Sequence, residues 1–119
     1  MTSFYIRQIM SELMNSSTDT VALQKKHRLP HPKTLENACR ISMSEDRPIM
    51  MDYWETSLEK VAMIGVQEDK EKMLIKNEEE YTSYIKKMLR VEEKDYIIIT
   101  ENSIYLVDAA IPVKKVSLF

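Results

Sequence analysis

Residues 95–108, DYIIITENSIYLVD, decide the fold. The stretch holds two runs rich in isoleucine, tyrosine and valine, on either side of the polar residues 101–103. Short β-branched and aromatic runs bounded by polar turn residues predict strands, so this stretch predicts a β-hairpin. Asn102 suits the positive φ of a tight hairpin turn. Comparable runs elsewhere in the chain are PIMMDYW from Pro48, KVAMIGV from Lys60, EKMLIK from Glu71, YIKKMLRV from Tyr84 and VKKVSLF from Val113.

The succession of these runs predicts a mainly β fold, a small antiparallel barrel or sandwich of six to eight short strands. Sequential strands joined by short turns usually pair with their neighbours. KVAMIGV is apolar on both faces, which is typical of a central strand, and its Gly65 indicates a bulge, a bend or a close backbone approach. VKKVSLF is predicted to be an edge strand, protected by Lys114 and Lys115. The predicted inward side chains are Ile49, Met51, Tyr53, Val61, Met63, Met73, Ile75, Ile97, Ile99, Tyr105 and Val107.

An N-terminal arm of residues 1–34 is predicted to precede a β-rich domain of residues 35–119. The arm contains one or two short helices and a connector, LPHP at residues 29–32, whose prolines predict an extended segment that is not helical. After the connector, Leu35 begins a helical turn, and the alternation in CRISM at residues 39–43 predicts a strand.

The composition indicates one globular domain made in a reducing compartment. A chain of 119 residues with 44% apolar residues has enough material for a single core. Its single cysteine, Cys39, excludes an internal disulfide framework and is expected in a core strand. The chain has no apolar run long enough for a membrane helix and does not begin like a signal peptide, so we expect cytosolic synthesis and no membrane-spanning segment.

The arm is predicted to bind a partner chain. Its apolar residues at i, i+3, i+4 and i+7 form one stripe of a short helix, which needs a partner surface to be stable. Residues 1–40 carry six basic and three acidic side chains, whereas the rest of the chain carries 11 basic and 16 acidic ones. We therefore expect basic arm residues to meet acidic groups of the partner. The predicted partner-binding residues are Ile6, Ile9, Met10, Leu13, Lys25, Lys26, Arg28 and Trp54.

Two of the expectations about chemistry have alternatives. Trp54 is expected to anchor the core. The alternative is that it is a hot spot of an interface, where tryptophan is enriched. His27, His31 and Cys39, with Glu36, have the ligand types of a zinc site, but their irregular spacing favours surface histidines. The chain has no glycine-rich phosphate loop, nucleophile elbow or Cys-x-x-Cys pair. We expect no enzyme activity, no cofactor and no metal, and the acidic body argues against nucleic-acid binding.

Three segments resemble a family of small proteins encoded by nucleocytoplasmic large DNA viruses, the giant viruses of algae and protists. The resemblance covers residues 35–117, and its most specific parts are PIMMDYW, KNEEEYTS and TENSIYLV. Where the family pattern has a proline after EYTS, this chain has Tyr84, which predicts a less rigid turn there.

The resemblance implies a viral protein that is made in the host cytoplasm and packed into the virion, with no catalytic residues to carry over. We therefore expect a structural component of a large DNA-virus particle, a minor capsid or cement protein that binds neighbouring capsid proteins. The alternative is a viral adaptor, a protein-binding module that is not part of the virion.

Overall fold

The computed structural model describes residues 27–117, and the predictions made for residues 1–26 and 118–119 lie outside that range. Within it the chain is mainly β, with seven strands and two helices. The elements in chain order are α1 Pro32–Glu45, β1 Ile49–Met50, α2 Trp54–Leu58, β2 Met63–Val66, β3 Lys72–Ile75, β4 Ile85–Val91, β5 Asp95–Thr100, β6 Ile104–Asp108 and β7 Val113–Lys115.

The seven strands form two open mixed sheets and do not close into a barrel. The strand order is β1-β6-β5-β4 in the first sheet and β3-β2-β7 in the second. Pairing between sequence neighbours is confirmed for β2–β3, β4–β5 and β5–β6, which are antiparallel. The all-antiparallel prediction is wrong, because β1 pairs with β6, and β2 with β7, in parallel. Periodicity reveals a strand, but it carries no signal for the distant partner of a strand of two or three residues.

β5 and β6 are the centre of the fold because both of their faces are covered. One face packs against α1, α2 and the residues around β1, and the other packs against the second sheet. The cluster on the helical side contains Ala38, Trp54, Val91, Ile97, Ile99, Ile104 and Leu106. The cluster between the sheets contains Tyr53, Ala62, Ile64, Leu74, Ile98, Val107 and Ile111.

The predicted set of inward side chains is only partly right. Tyr53, Met73, Ile75, Ile97, Ile99 and Val107 are buried. Val61 is 54% exposed, because β2 begins two residues after it. The prediction also omitted Ile98 and Leu106, which are fully buried. Alternation assigns one inward face to each strand, and it therefore misses half of the core in strands that are covered on both faces.

Helix α1 overturns three local predictions. Residues 39–43 lie in this helix and are not a strand. The non-helical connector predicted for residues 29–32 ends at His31, because Pro32 already occupies the first turn of the helix, where its missing N–H is not needed. The His31 side chain accepts a hydrogen bond from the Lys33 N–H. The helix buries Thr34 and Ala38, one turn apart, and leaves Cys39 exposed instead of in the core. It crosses the predicted boundary between arm and domain at residues 34 and 35.

The one glycine of the chain, Gly65, does not have a positive φ, and the described residues that do have one are of other types. A methyl group at Gly65 would come within 2.9 Å of Val116 Cγ2 and would also overlap Ile75, so it is side chains of the neighbouring strand and of residue 116 that leave no room for a larger residue there. The φ angles of Glu92 and Glu93 are 52° and 55°, and the Lys94 N–H donates to the Val91 carbonyl at 3.0 Å. Positive φ at both central residues is the requirement of a type I′ turn, which usually has Asn-Gly. Asn102 does not adopt the predicted positive φ.

Candidate functional site

Two carboxylates face each other on the central strands. Asp95 begins β5, Asp108 ends β6, and the two residues are direct partners in the antiparallel register. Like charges in directly opposed positions destabilise a sheet, so this pair needs a cation between its members. Arg28 supplies that cation, and we call Arg28, Asp95 and Asp108 the Arg28 cluster.

Asp95 is fully buried and receives three hydrogen bonds. Its Oδ1 accepts from Arg28 Nη2 at 2.7 Å. Its Oδ2 accepts from the His31 backbone N–H at 2.8 Å and from Thr34 Oγ1 at 2.7 Å. Two of the three donors belong to the segment that leads into α1, so the carboxylate connects this segment to the start of β5. A buried ionised group is tolerated only with such partners.

Arg28 connects its own segment to the start of β5 and the end of β6 through one nitrogen atom. Its Nη2 lies 2.7 Å from Asp95 Oδ1, 2.5 Å from Asp108 Oδ1 and 3.1 Å from the Lys94 carbonyl oxygen. Burial lowers the pKa of Arg28, but the hydrogen bonds to the two aspartates outweigh it and raise the pKa above its ordinary value. The guanidinium therefore stays charged.

Trp54 fixes the backbone of the same segment. Its indole N–H donates to the Arg28 carbonyl at 2.9 Å, and the guanidinium of Arg28 lies 4.9 Å from the ring centroid. Trp54 is only 4% exposed and belongs to the core cluster on the helical side. Ser57, buried on α2, donates to the Trp54 carbonyl and accepts from the Asp108 N–H at 2.9 Å. Trp54 thus has the position expected of a core anchor.

The Arg28 cluster is a closed polar network. Across residues 27–117, every buried side-chain nitrogen or oxygen has a hydrogen-bond partner. A shallow cleft of about 370 Å³ opens beside the cluster and is lined in part by Arg28, Arg90 and Asp108. Both carboxylates are already occupied by Arg28. Chemically, the arrangement is suited to holding the start of α1 against β5 and β6.

A second charged region lies at the opposite end of the first sheet. Lys70, Lys72, Lys86 and Lys87 line an open groove of about 300 Å³ between β3 and β4, together with Glu71, Ile85 and Met88. We call it the lysine groove. In the part of the chain that the structure describes, none of the four ammonium groups forms an ion pair. Sequence reasoning missed this groove, because 14 positions separate Lys72 from Lys86 and only the packing of β3 beside β4 unites them.

The predicted partner-binding residues fall into two groups. Six of them, Ile6, Ile9, Met10, Leu13, Lys25 and Lys26, lie outside the described residues, and their role stays a prediction. The structure brings Arg28 and Trp54 together. The acidic groups that meet Arg28 are Asp95 and Asp108 of its own chain. A contact of either residue with a partner chain also stays a prediction.

The candidate zinc ligands do not assemble. His31 Nδ1 accepts a hydrogen bond from Lys33, and Cys39 is exposed on α1. His27 lies 3.9 Å from Glu55 and 3.6 Å from Glu59. A search of residues 27–117 finds no group of three or more histidine, cysteine, aspartate or glutamate side chains placed to hold a metal ion.

Neither helix within residues 27–117 has the length and apolar character that crossing a membrane requires. The chain matches no model of a known protein family. Comparison with curated proteins gives no significant match, and neither does comparison with solved structures.

Proposed function

We propose that this chain is a protein-binding module that works in an assembly of several chains. The observation that carries the proposal is the open architecture of both sheets, a small sandwich with four edge strands, β1, β4, β3 and β7. An edge strand presents backbone N–H and C=O groups that a strand of another chain can pair with.

Exposed apolar side chains support the same proposal. Met43 is 79% exposed, Val113 61%, Leu29 58% and Val61 54%. Single exposed apolar residues are common, but here Val113 lies on β7, which is itself an edge strand. Apolar groups beside an open backbone edge favour protein partners over small molecules.

The resemblance to proteins of large DNA viruses gives the assembly its proposed identity, a virus particle. In this role the chain is a minor capsid or cement protein that is made in the host cytoplasm and binds neighbouring capsid proteins. The Arg28 cluster binds the last part of the predicted arm, residues 1–34, to β5 and β6, which would give the residues before it a fixed point of attachment. Small proteins of this kind act by covering area on several neighbours at once.

Quantitative mass spectrometry of purified particles of the encoding virus tests the proposal. We expect the chain in many copies per particle, in a constant ratio to the major capsid protein. A chain that is abundant in infected-cell lysate and absent from particles would exclude the structural role, and a few copies per particle would favour the adaptor.

A further inference from the structure

We propose that the outer edge of β4 binds an acidic, extended segment of a partner protein, which joins the first sheet as a fifth strand. The inference rests on the proposed function as a protein-binding module and names the surface and the chemistry of the partner. Two independent observations lead to it, the open backbone edge of β4 and the unpaired lysines beside that edge.

β4 presents the longest open edge among residues 27–117. It is the last strand of the first sheet, and its seven residues make it the longest of the described strands. Within residues 27–117 it pairs with β5 alone, so its outer row of backbone groups meets no other strand. A peptide that adds to such an edge gains affinity from main-chain hydrogen bonds and specificity from its alternate side chains.

The charges on and beside β4 have one sign. The strand, IKKMLRV, carries Lys86, Lys87 and Arg90 and no acidic residue. Lys70 and Lys72 approach the same groove from the second sheet. Glu71 is the one acidic side chain in the lining of the groove. Basic residues on an edge strand also discourage pairing with unselected strands, so the same side chains that exclude neutral and basic segments admit an acidic one.

The groove also holds an apolar strip. Met88 is the register partner of Ile98 and packs at the border of the inter-sheet cluster, together with Ile85. Because successive side chains of a strand point to opposite faces, an added strand would place every second residue over this strip. The matching ligand is a segment in which acidic and apolar residues alternate.

The charges of the groove argue against two other segments as its ligand, a second copy of β4 and residues 1–26. Antiparallel pairing of β4 with β4 of a second copy would place a strand with three basic residues and no acidic one beside an identical strand, with like charges opposed or close. Residues 1–26 carry three basic and two acidic side chains, so this segment has no charge complementarity to the groove. Nucleic acid would use the lysines but would leave the backbone edge of β4 without a partner.

The direct test is the binding of a synthetic peptide that alternates glutamate with valine and has the length of β4. Fluorescence anisotropy with the full chain should show saturable binding that weakens as salt is raised. Lys86→Gln combined with Lys87→Gln should weaken binding roughly tenfold. Lys60→Gln combined with Lys114→Gln removes the same charge outside the groove and should leave the affinity unchanged.

Two control ligands separate strand addition from simple charge attraction. The same peptide with N-methyl groups on alternate amides keeps its charge but cannot complete the ladder, and it should lose most of its affinity. Equal binding of the methylated peptide would overturn the proposal. Preferential binding of a single-stranded oligonucleotide, or self-association of the chain that the Lys86/Lys87 variant abolishes, would overturn it too. If the chain is present in particles but does not bind the peptide, the inference fails and the proposed function stands.

Discussion

The Arg28 cluster and the lysine groove are both charged regions of the same domain, and they differ in whether their charges are matched. In the cluster one guanidinium neutralises two aspartates, one of which is fully buried. In the groove four exposed ammonium groups have no carboxylate partner among the described residues. Matched buried charges hold elements of a fold together, whereas unmatched exposed charges contribute little to stability and are available for binding.

Removal of Arg28 should give the largest loss of stability. Arg28→Met leaves Asp95 buried and opposite Asp108 with no cation between them. Because the Arg28 side chain is itself 36% exposed, we expect a loss of about 2–3 kcal/mol, below the roughly 3–5 kcal/mol for breaking a fully buried pair. Urea unfolding of the full chain measures the loss.

Arg40→Met is the matched control for that variant. It removes an exposed ion pair with Glu36 on α1 and should cost less than about 0.5 kcal/mol. Similar losses in the two variants would show that the Arg28 cluster does not hold the segment before α1.

Removal of one hydrogen bond to the buried carboxylate should have a smaller effect. Thr34→Val keeps the shape of a fully buried side chain but leaves Asp95 Oδ2 with one donor fewer. A hydrogen bond to a charged group contributes roughly 1.5–3 kcal/mol, and urea unfolding should reveal a loss of about 1.5 kcal/mol, because the His31 N–H still donates to Oδ2. Thr56→Val removes a bond of 3.2 Å to a neutral carbonyl and should cost about 1 kcal/mol or less. A reversed order would contradict the importance of Asp95.

Residues that tolerate positive φ should make the turn between β4 and β5 more stable. Glu92 and Glu93 connect β4 to β5 with φ angles of 52° and 55°. Glu92→Asn combined with Glu93→Gly should raise the thermal midpoint, with a gain of about 1 kcal/mol, because the left-handed conformation is costly for glutamate. The same exchange at Glu101 and Asn102, which have no positive φ, should bring no gain.

Removal of groove charges should have the smallest effect on stability. Lys86→Gln combined with Lys87→Gln should change the free energy of unfolding by less than about 0.5 kcal/mol, because both side chains are exposed and unpaired. Urea unfolding measured beside Arg28→Met provides the comparison. A loss as large as that of Arg28→Met would show that the groove lysines stabilise the fold and are not free for binding.

The sequence contains a strong signal for the long elements and a weak one for the contacts between distant segments. The hairpin of β5 and β6 and the central position of β2 follow from residue type and periodicity. The strand predicted at residues 39–43 is wrong because Ala38 and Ile41 on one helical face pack against the first sheet, a tertiary contact that local alternation does not reveal.

The charged regions could be predicted only in part for the same reason. The sequence predicts that Arg28 meets acidic groups of a partner chain, whereas Asp95 and Asp108 of its own chain become its neighbours only through the register of β5 and β6. The lysine groove depends on β3 lying beside β4, which belong to different sheets. Parallel pairing of β1 with β6 likewise joins residues 49 and 104, a separation at which sequence pattern gives no register.

Amide hydrogen exchange of the full chain, with and without the glutamate–valine peptide, tests most directly whether β4 is the binding edge. In the free protein, β5 should be the best protected strand, because it is central and covered on both faces. On addition of the peptide, β4 should gain protection while β1, β3 and β7 stay unchanged. Protection that appears at another edge, or no change at β4 when the peptide is bound, would contradict the account.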